Sequence, residues 1–123
     1  MSSTKATLLK KIDDRSAVTA VIGLGYVGLP LAIELCEAGF TVVGYDVSTR
    51  VVDLLMRGES HIQDVPAAHV AKHVKSGKFV ATTDATKLKA ADTISIAVPT
   101  PLAKTRDPDM SYVLSASETI AAQ

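Results

Sequence analysis

The sequence has a single cysteine, Cys36, so no disulfide can form within the chain. It has no excess of charge of either sign. Its 13 basic side chains balance 13 acidic ones, which removes the broad positive field that nucleic acid or an anionic membrane surface would require. It also lacks an uninterrupted apolar run. The longest apolar stretch, Ala17 to Cys36, is broken by three glycines, Pro30 and Glu34, which makes it a poor candidate to cross a bilayer. Residues 1–16 mix Lys5, Lys10 and Lys11 with acids and carry no apolar core segment. Repeats and low-complexity tracts are absent too. These absences argue against nucleic acid and membrane as partners. They leave the cytoplasm as the expected compartment, and one domain as the expected unit for 123 residues.

What is present is an alternation of short apolar runs and helical patterns. Ala6 to Asp14, with Leu8, Leu9 and Ile12 at helical spacing, predicts a short amphipathic helix packed on the edge of the main fold. Ala17 to Ile22 predicts a first strand ending at Gly23, and Leu31 to Ala38 a helix stopped by Gly39. Phe40 to Tyr45 supplies a second strand, and Ser48 caps a helix running to Met56 and ending near Gly58. Ala67 to Lys75 predicts a further helix, Phe79 to Thr82 a third strand, and Thr86 to Ala90 a helical turn. Thr93 to Val98 predicts a fourth strand, whose apolar character implies burial on both faces. Pro99 to Pro108 holds three prolines and must be a loop, after which Asp109 or Ser111 caps a final helix.

Strands alternating with helices favour an α/β fold with a parallel sheet, right-handed crossovers and helices on both sides, a doubly wound three-layer αβα arrangement of Rossmann type. The expected order puts strand one in the centre, strands two and three on one side and strand four on the other. A ligand is then expected between strands one and four.

Gly23, Gly25 and Gly28 form G-x-G-x-x-G directly between a strand and a helix, the context in which that spacing has mechanical meaning. The first glycine permits a tight turn, the second lets a pyrophosphate approach the backbone, and the third lets helix and strand pack closely. The helix N-terminus that follows favours negative charge, and Pro30 near its start is tolerated. Asp46 lies eighteen residues after Gly28 at the end of strand two, where an acid accepts hydrogen bonds from the adenine ribose and repels a 2′-phosphate. NAD is therefore favoured over NADP, with Ser48 and Arg50 close enough to soften the exclusion. The bland alternatives are a strand-to-helix turn that binds nothing and an acid that merely caps a helix.

Several residues tempt without forming a site. Cys36 sits on the apolar face of the helix after the glycine turn, as a structural thiol does. His69 and His73 share a helical face, but no Glu lies between them in the H-E-x-x-H pattern and no third ligand is evident. Lys104 and Arg106 read as solvated loop residues, and Asp107 and Asp109 as turn and cap formers.

Two blocks carry a more specific signal. V-I-G-L-G-Y-V-G-L-P-L-A (Val21 to Ala32) and A-V-P-T-P-L-A-K-T-R-D-P-D-M-S-Y-V (Ala97 to Val113) resemble the UDP-sugar 6-dehydrogenase family over nearly the whole chain. The segments G-E-S-H-I-Q-D-V (Gly58 to Val65) and A-T-T-D (Ala81 to Asp84), with the early helix, look most like the branch acting on UDP-N-acetylglucosamine. The UDP-N-acetylmannosamine branch comes next.

The resemblance implies oxidation of a sugar C6 alcohol to a carboxylate in two NAD-dependent steps through a thioester on a catalytic cysteine. By position it implies that Gly23, Gly25 and Gly28, with Leu24, Tyr26 and Val27 between them, hold the pyrophosphate, and that Asp46 holds the adenosine ribose. Val98, Pro99 and Thr100 would lie along the cofactor near the nicotinamide ribose, Thr100 being the sharpest expectation. The family commonly has a basic residue five positions after the ribose acid. Here Val51 stands there, with Arg50, a candidate contact, one place earlier.

The family's catalytic cysteine motif, catalytic lysine and central dimerisation helix have no counterpart up to Gln123. The expectation is an incomplete NAD-binding domain at 1–123, inactive alone, meeting its UDP-sugar only in the parent protein, and prone to self-association through the open sheet edge. Two competing readings are a non-catalytic dinucleotide sensor and a hydroxy-acid dehydrogenase. Neither accounts for the Val98-Pro99-Thr100-Pro101 run.

Overall fold

The computed structural model describes residues 4–99, 101 and 103–123, so Thr100 lies outside the described residues. Helix α1 (Thr4–Asp13) leads into strand β1 (Val18–Ile22), helix α2 (Gly28–Glu37) and strand β2 (Thr41–Tyr45). Helices α3 (Thr49–Met56) and α4 (Ala67–Ser76) precede strand β3 (Phe79–Thr82). A 3-10 turn over Ala85–Ala90, strand β4 (Thr93–Ile96) and helix α5 (Ser111–Ala121) complete the chain. The punctuation follows the side chains. The Ser48 hydroxyl accepts the Val51 N–H at 3.3 Å to open α3, and Gly77 closes α4 in the left-handed region at φ 81°.

The sheet is parallel in the order β3-β2-β1-β4, as the alternation of elements predicts. Val18 pairs with Thr41 and Ile22 with Tyr45, Thr19 pairs with Thr93, and Val42 pairs with Phe79. Alternate residues divide the interior between two faces. On one face Val21, Val42, Phe79 and Ala81 pack with Leu29, Ile33, Val52, Leu55 and Val70 of α2, α3 and α4. Full burial of a side chain such as Phe79 or Leu55 stabilises by roughly 1.5–3 kcal/mol. The opposite face is thinner: Ala20, Ile22, Leu88 and Ala116 form its buried cluster, with Val43, Tyr45, Ile94 and Ile120 beside them. Among the described residues no helix is long and apolar enough to cross a membrane.

One expectation is corrected. Strand β4 is not buried on both faces: Thr93 and Ile94 are half-buried, and Ser95 and Ile96 are exposed, Ile96 to 38 %. The strand occupies the end of the four-strand order, and the α2–α4 layer covers the side of the sheet toward β3. An apolar run records what a strand prefers to touch, and cannot report whether a helix lies over it. Helix α1 likewise buries none of its residues. It is tied beside the start of β4 by Lys11 Nζ, which donates to Asp92 Oδ1 at 2.9 Å.

Candidate functional site

The site grows from the end of β1. The Gly23 N–H donates to the Tyr45 carbonyl at 2.8 Å, and the Ala97 N–H donates to the Ile22 carbonyl at 2.7 Å, so the turn leaves the sheet between β2 and β4. Gly23 has φ 94°, and a Cβ there would meet the Ala97 carbonyl oxygen at 2.5 Å; both conformation and space require glycine. A Cβ at Gly28 would overlap the Gly23 carbonyl and also press on Val21 Cγ1 at 3.3 Å, which is the close helix–strand packing expected of the third glycine. Gly25 is different in kind. Nothing lies within 4 Å of a Cβ built there, so the protein alone does not demand glycine and the space beside the backbone is open to a ligand.

Helix α2 starts at Gly28 with Val27 as a cap that offers no side-chain hydrogen bond. The Gly25, Tyr26 and Val27 amides have no acceptor among the described residues. Unpaired N–H groups at the positive end of a helix suit an anion. Tyr26 and Val27 are 84 % and 69 % exposed, whereas Leu24 is fully buried. Leu24 therefore contributes to the turn through its backbone only.

At the end of β2, Asp46 spends both carboxylate oxygens on backbone amides. Oδ1 accepts the Ser48 N–H and Oδ2 accepts the Leu24 N–H, each at 2.9 Å. Asp46 also lines a cleft of about 280 Å³, with Ile22, Gly23, Val47, Val98, Pro99 and Tyr112 among others. This cleft lies where the strand order reverses, between β1 and β4, the switch point at which open α/β sheets take their ligands. Arg50 is exposed on the first turn of α3 and does not line the cleft.

The far wall of the cleft was not foreseen from the sequence. Tyr112, Ser115, Ala116 and Thr119 of α5 line it, with Val47 at its lip. Their i, i+3, i+4, i+7 spacing was a legible helical face, but nothing in the sequence says which surface that face meets. The residues set aside stay outside the cleft. Cys36 is buried, and burial first, then the Glu37 charge, pushes its thiol up to about 12. His73 is buried on α4 with Nε2 2.9 Å from Glu37 Oε1 on α2. The Asp109 carboxylate accepts the Ser111 N–H at 2.9 Å at the start of α5.

Comparison with known proteins then decides the family. Residues 17–123 match the UDP-glucose/GDP-mannose dehydrogenase family, NAD binding domain. The chain belongs to this family. NAD is its cofactor, and the open approach at Gly25 and the unpaired amides of the turn fit that cofactor.

Among its relatives, the UDP-N-acetyl-D-mannosamine dehydrogenase of Salmonella typhimurium is 42% identical over 102 residues, which cover 83% of this chain and 24% of that protein. The solved structure of the UDP-D-ManNAc dehydrogenase from Pyrococcus horikoshii superposes with a TM-score of 0.80 at 36% identity, covering 85% of this chain and 25% of that one. That of GDP-mannose dehydrogenase from Pseudomonas aeruginosa gives 0.79 at 34% identity, covering 83% and 24%. The chain spans about a quarter of the length of the curated relatives it matches.

Proposed function

We propose that this chain is the NAD-binding portion of a nucleotide-sugar dehydrogenase that oxidises the C6 alcohol of a UDP-N-acetylhexosamine to the carboxylate, consuming two NAD per sugar. The observation that carries the reading is a glycine turn with unpaired amides and open space at Gly25, whose first residue, Gly23, lines the same cleft as Asp46. NAD supplies the hydride-accepting nicotinamide. The chain's own residues bind and orient it. The turn Gly23, Leu24, Gly25, Tyr26, Val27, Gly28 holds the pyrophosphate, and the outward lone pairs of Asp46 accept the adenosine ribose hydroxyls. Val98, Pro99 and Thr100 border the nicotinamide ribose, while Arg50, exposed and off the cleft, is left without a contact to the cofactor.

The sequence led us to expect the glucosamine epimer. A relative 42% identical and a solved structure 36% identical are both mannosamine dehydrogenases, which supports the mannosamine epimer instead. NADH production with each UDP-sugar, measured in the whole protein, decides between the epimers. For the chain itself, calorimetric titration should show NAD binding, NADP at least about tenfold weaker because the Asp46 charge opposes a 2′-phosphate, and no heat with either UDP-sugar. NADP binding as tightly as NAD would overturn the role given to Asp46.

A further inference from the structure

We infer that Asp46 is a positioning residue for the glycine turn, latching the turn into its anion-binding shape through the Leu24 amide, separately from any ribose contact. An acid closing an ordinary Asx turn would need only its bond to Ser48 two residues on, which Oδ1 makes. The second bond, from the Leu24 N–H to Oδ2 at 2.9 Å, spans 22 residues of sequence and joins the residue that follows β2 to the second residue of the G-x-G-x-x-G segment. Leu24 is anchored twice. Its side chain is fully buried and lies over Gly44, where a Cβ would come within 2.9 Å of Leu24 Cδ2 and of Phe79 Cε1. Its amide has no other acceptor among the described residues, and a buried N–H without a partner is costly. With Gly23 N–H held by the Tyr45 carbonyl, the end of β2 grips consecutive residues of the turn, and the amides of Gly25, Tyr26 and Val27 are left free.

The latch rests on the proposed site only for the identity of the ligand. Its electrostatics give a test with opposite signs. If Asp46 contacted ribose alone, neutralising it would leave affinity for inorganic pyrophosphate, which has no ribose, unchanged or raised, because a negative charge beside an anion site is removed. If Asp46 latches the turn, the same change weakens pyrophosphate.

We therefore expect Asp46→Ala, which removes both the charge and every acceptor for the Leu24 N–H, to bind pyrophosphate about tenfold more weakly. We also expect it to speed hydrogen exchange of the Leu24 amide by about tenfold or more while leaving the Val42 amide, bonded to the Lys78 carbonyl in the sheet, unchanged. Unchanged Leu24 exchange with equal or tighter pyrophosphate binding overturns the inference. Should the variant not fold, the unliganded wild-type chain decides. Leu24 protection approaching that of Val42 supports the latch, and exchange at the rate of an unprotected amide refutes it. Because exchange is read without ligand, failure of NAD to bind would sink the site reading and leave the latch to stand or fall on the Leu24 amide.

Discussion

The three glycines of the turn are glycines for different reasons, and single substitutions separate them. Gly25→Ala meets no atom within 4 Å, so its stability should change by less than about 0.5 kcal/mol. Its NAD affinity should fall about tenfold or more because a methyl group occupies the approach to the backbone. Gly28→Ala drives a methyl into the Gly23 carbonyl and should cost about 3 kcal/mol or more of stability. Urea melts alongside NAD titrations check both, and a Gly25→Ala chain that binds NAD normally would remove the pyrophosphate from this turn. The pattern was legible in the sequence because a strand, the glycines and the acid stand in order. That Leu24 is buried and its amide tied to Asp46 was not, because the spacing of letters carries no direction for a carboxylate.

Between elements, the junction of α2 with α4 carries a titratable contact. His73 is buried with Nε2 2.9 Å from Glu37 Oε1, and Lys72 Nζ lies 3.7 Å from Glu37 Oε2. The His73 hydrogen bond first, and the Lys72 charge opposed by desolvation, hold Glu37 below its ordinary value of 4.5. A carboxylate whose folded pKa is depressed adds stability that is complete above its unfolded value and lost as pH falls through the folded one. The wild type should therefore lose stability as pH drops below about 4.5, with a slope that Glu37→Gln lacks. His73→Ala should cost roughly 1.5–3 kcal/mol at neutral pH through the lost charged hydrogen bond and its buried gap. Thermal melts from pH 3 to 7 measure both, and identical pH slopes in wild type and Glu37→Gln would exclude the contact as a source of acid sensitivity. Periodicity placed His69 and His73 on one face. It gave no indication that His73 turns inward to an acid 36 residues earlier.

For the molecule as a whole, strand β4 leaves its outer edge unpaired among the described residues, with Ser95 and Ile96 exposed. Unpaired edge amides and carbonyls beside apolar surface favour pairing with another chain, so the chain should show concentration-dependent mass in sedimentation. Ile96→Lys, which charges the exposed strand residue, should suppress it. A monodisperse wild-type monomer at high concentration would contradict this.

The sequence alone determined the alternation of elements, the parallel sheet with its β3-β2-β1-β4 order and the glycine turn with its acid. The elements and the turn follow from short-range periodicity and from turn residues whose meaning is local, and the strand order from the topology that alternating strands and helices adopt once the glycine turn marks a dinucleotide-binding half. Tertiary structure alone decided which strand is left bare, which face of α5 walls the cleft, and that the acid of β2 holds the glycine turn it faces. Those outcomes depend on what the chain brings together across tens of residues, and neither propensity nor spacing encodes which groups meet there.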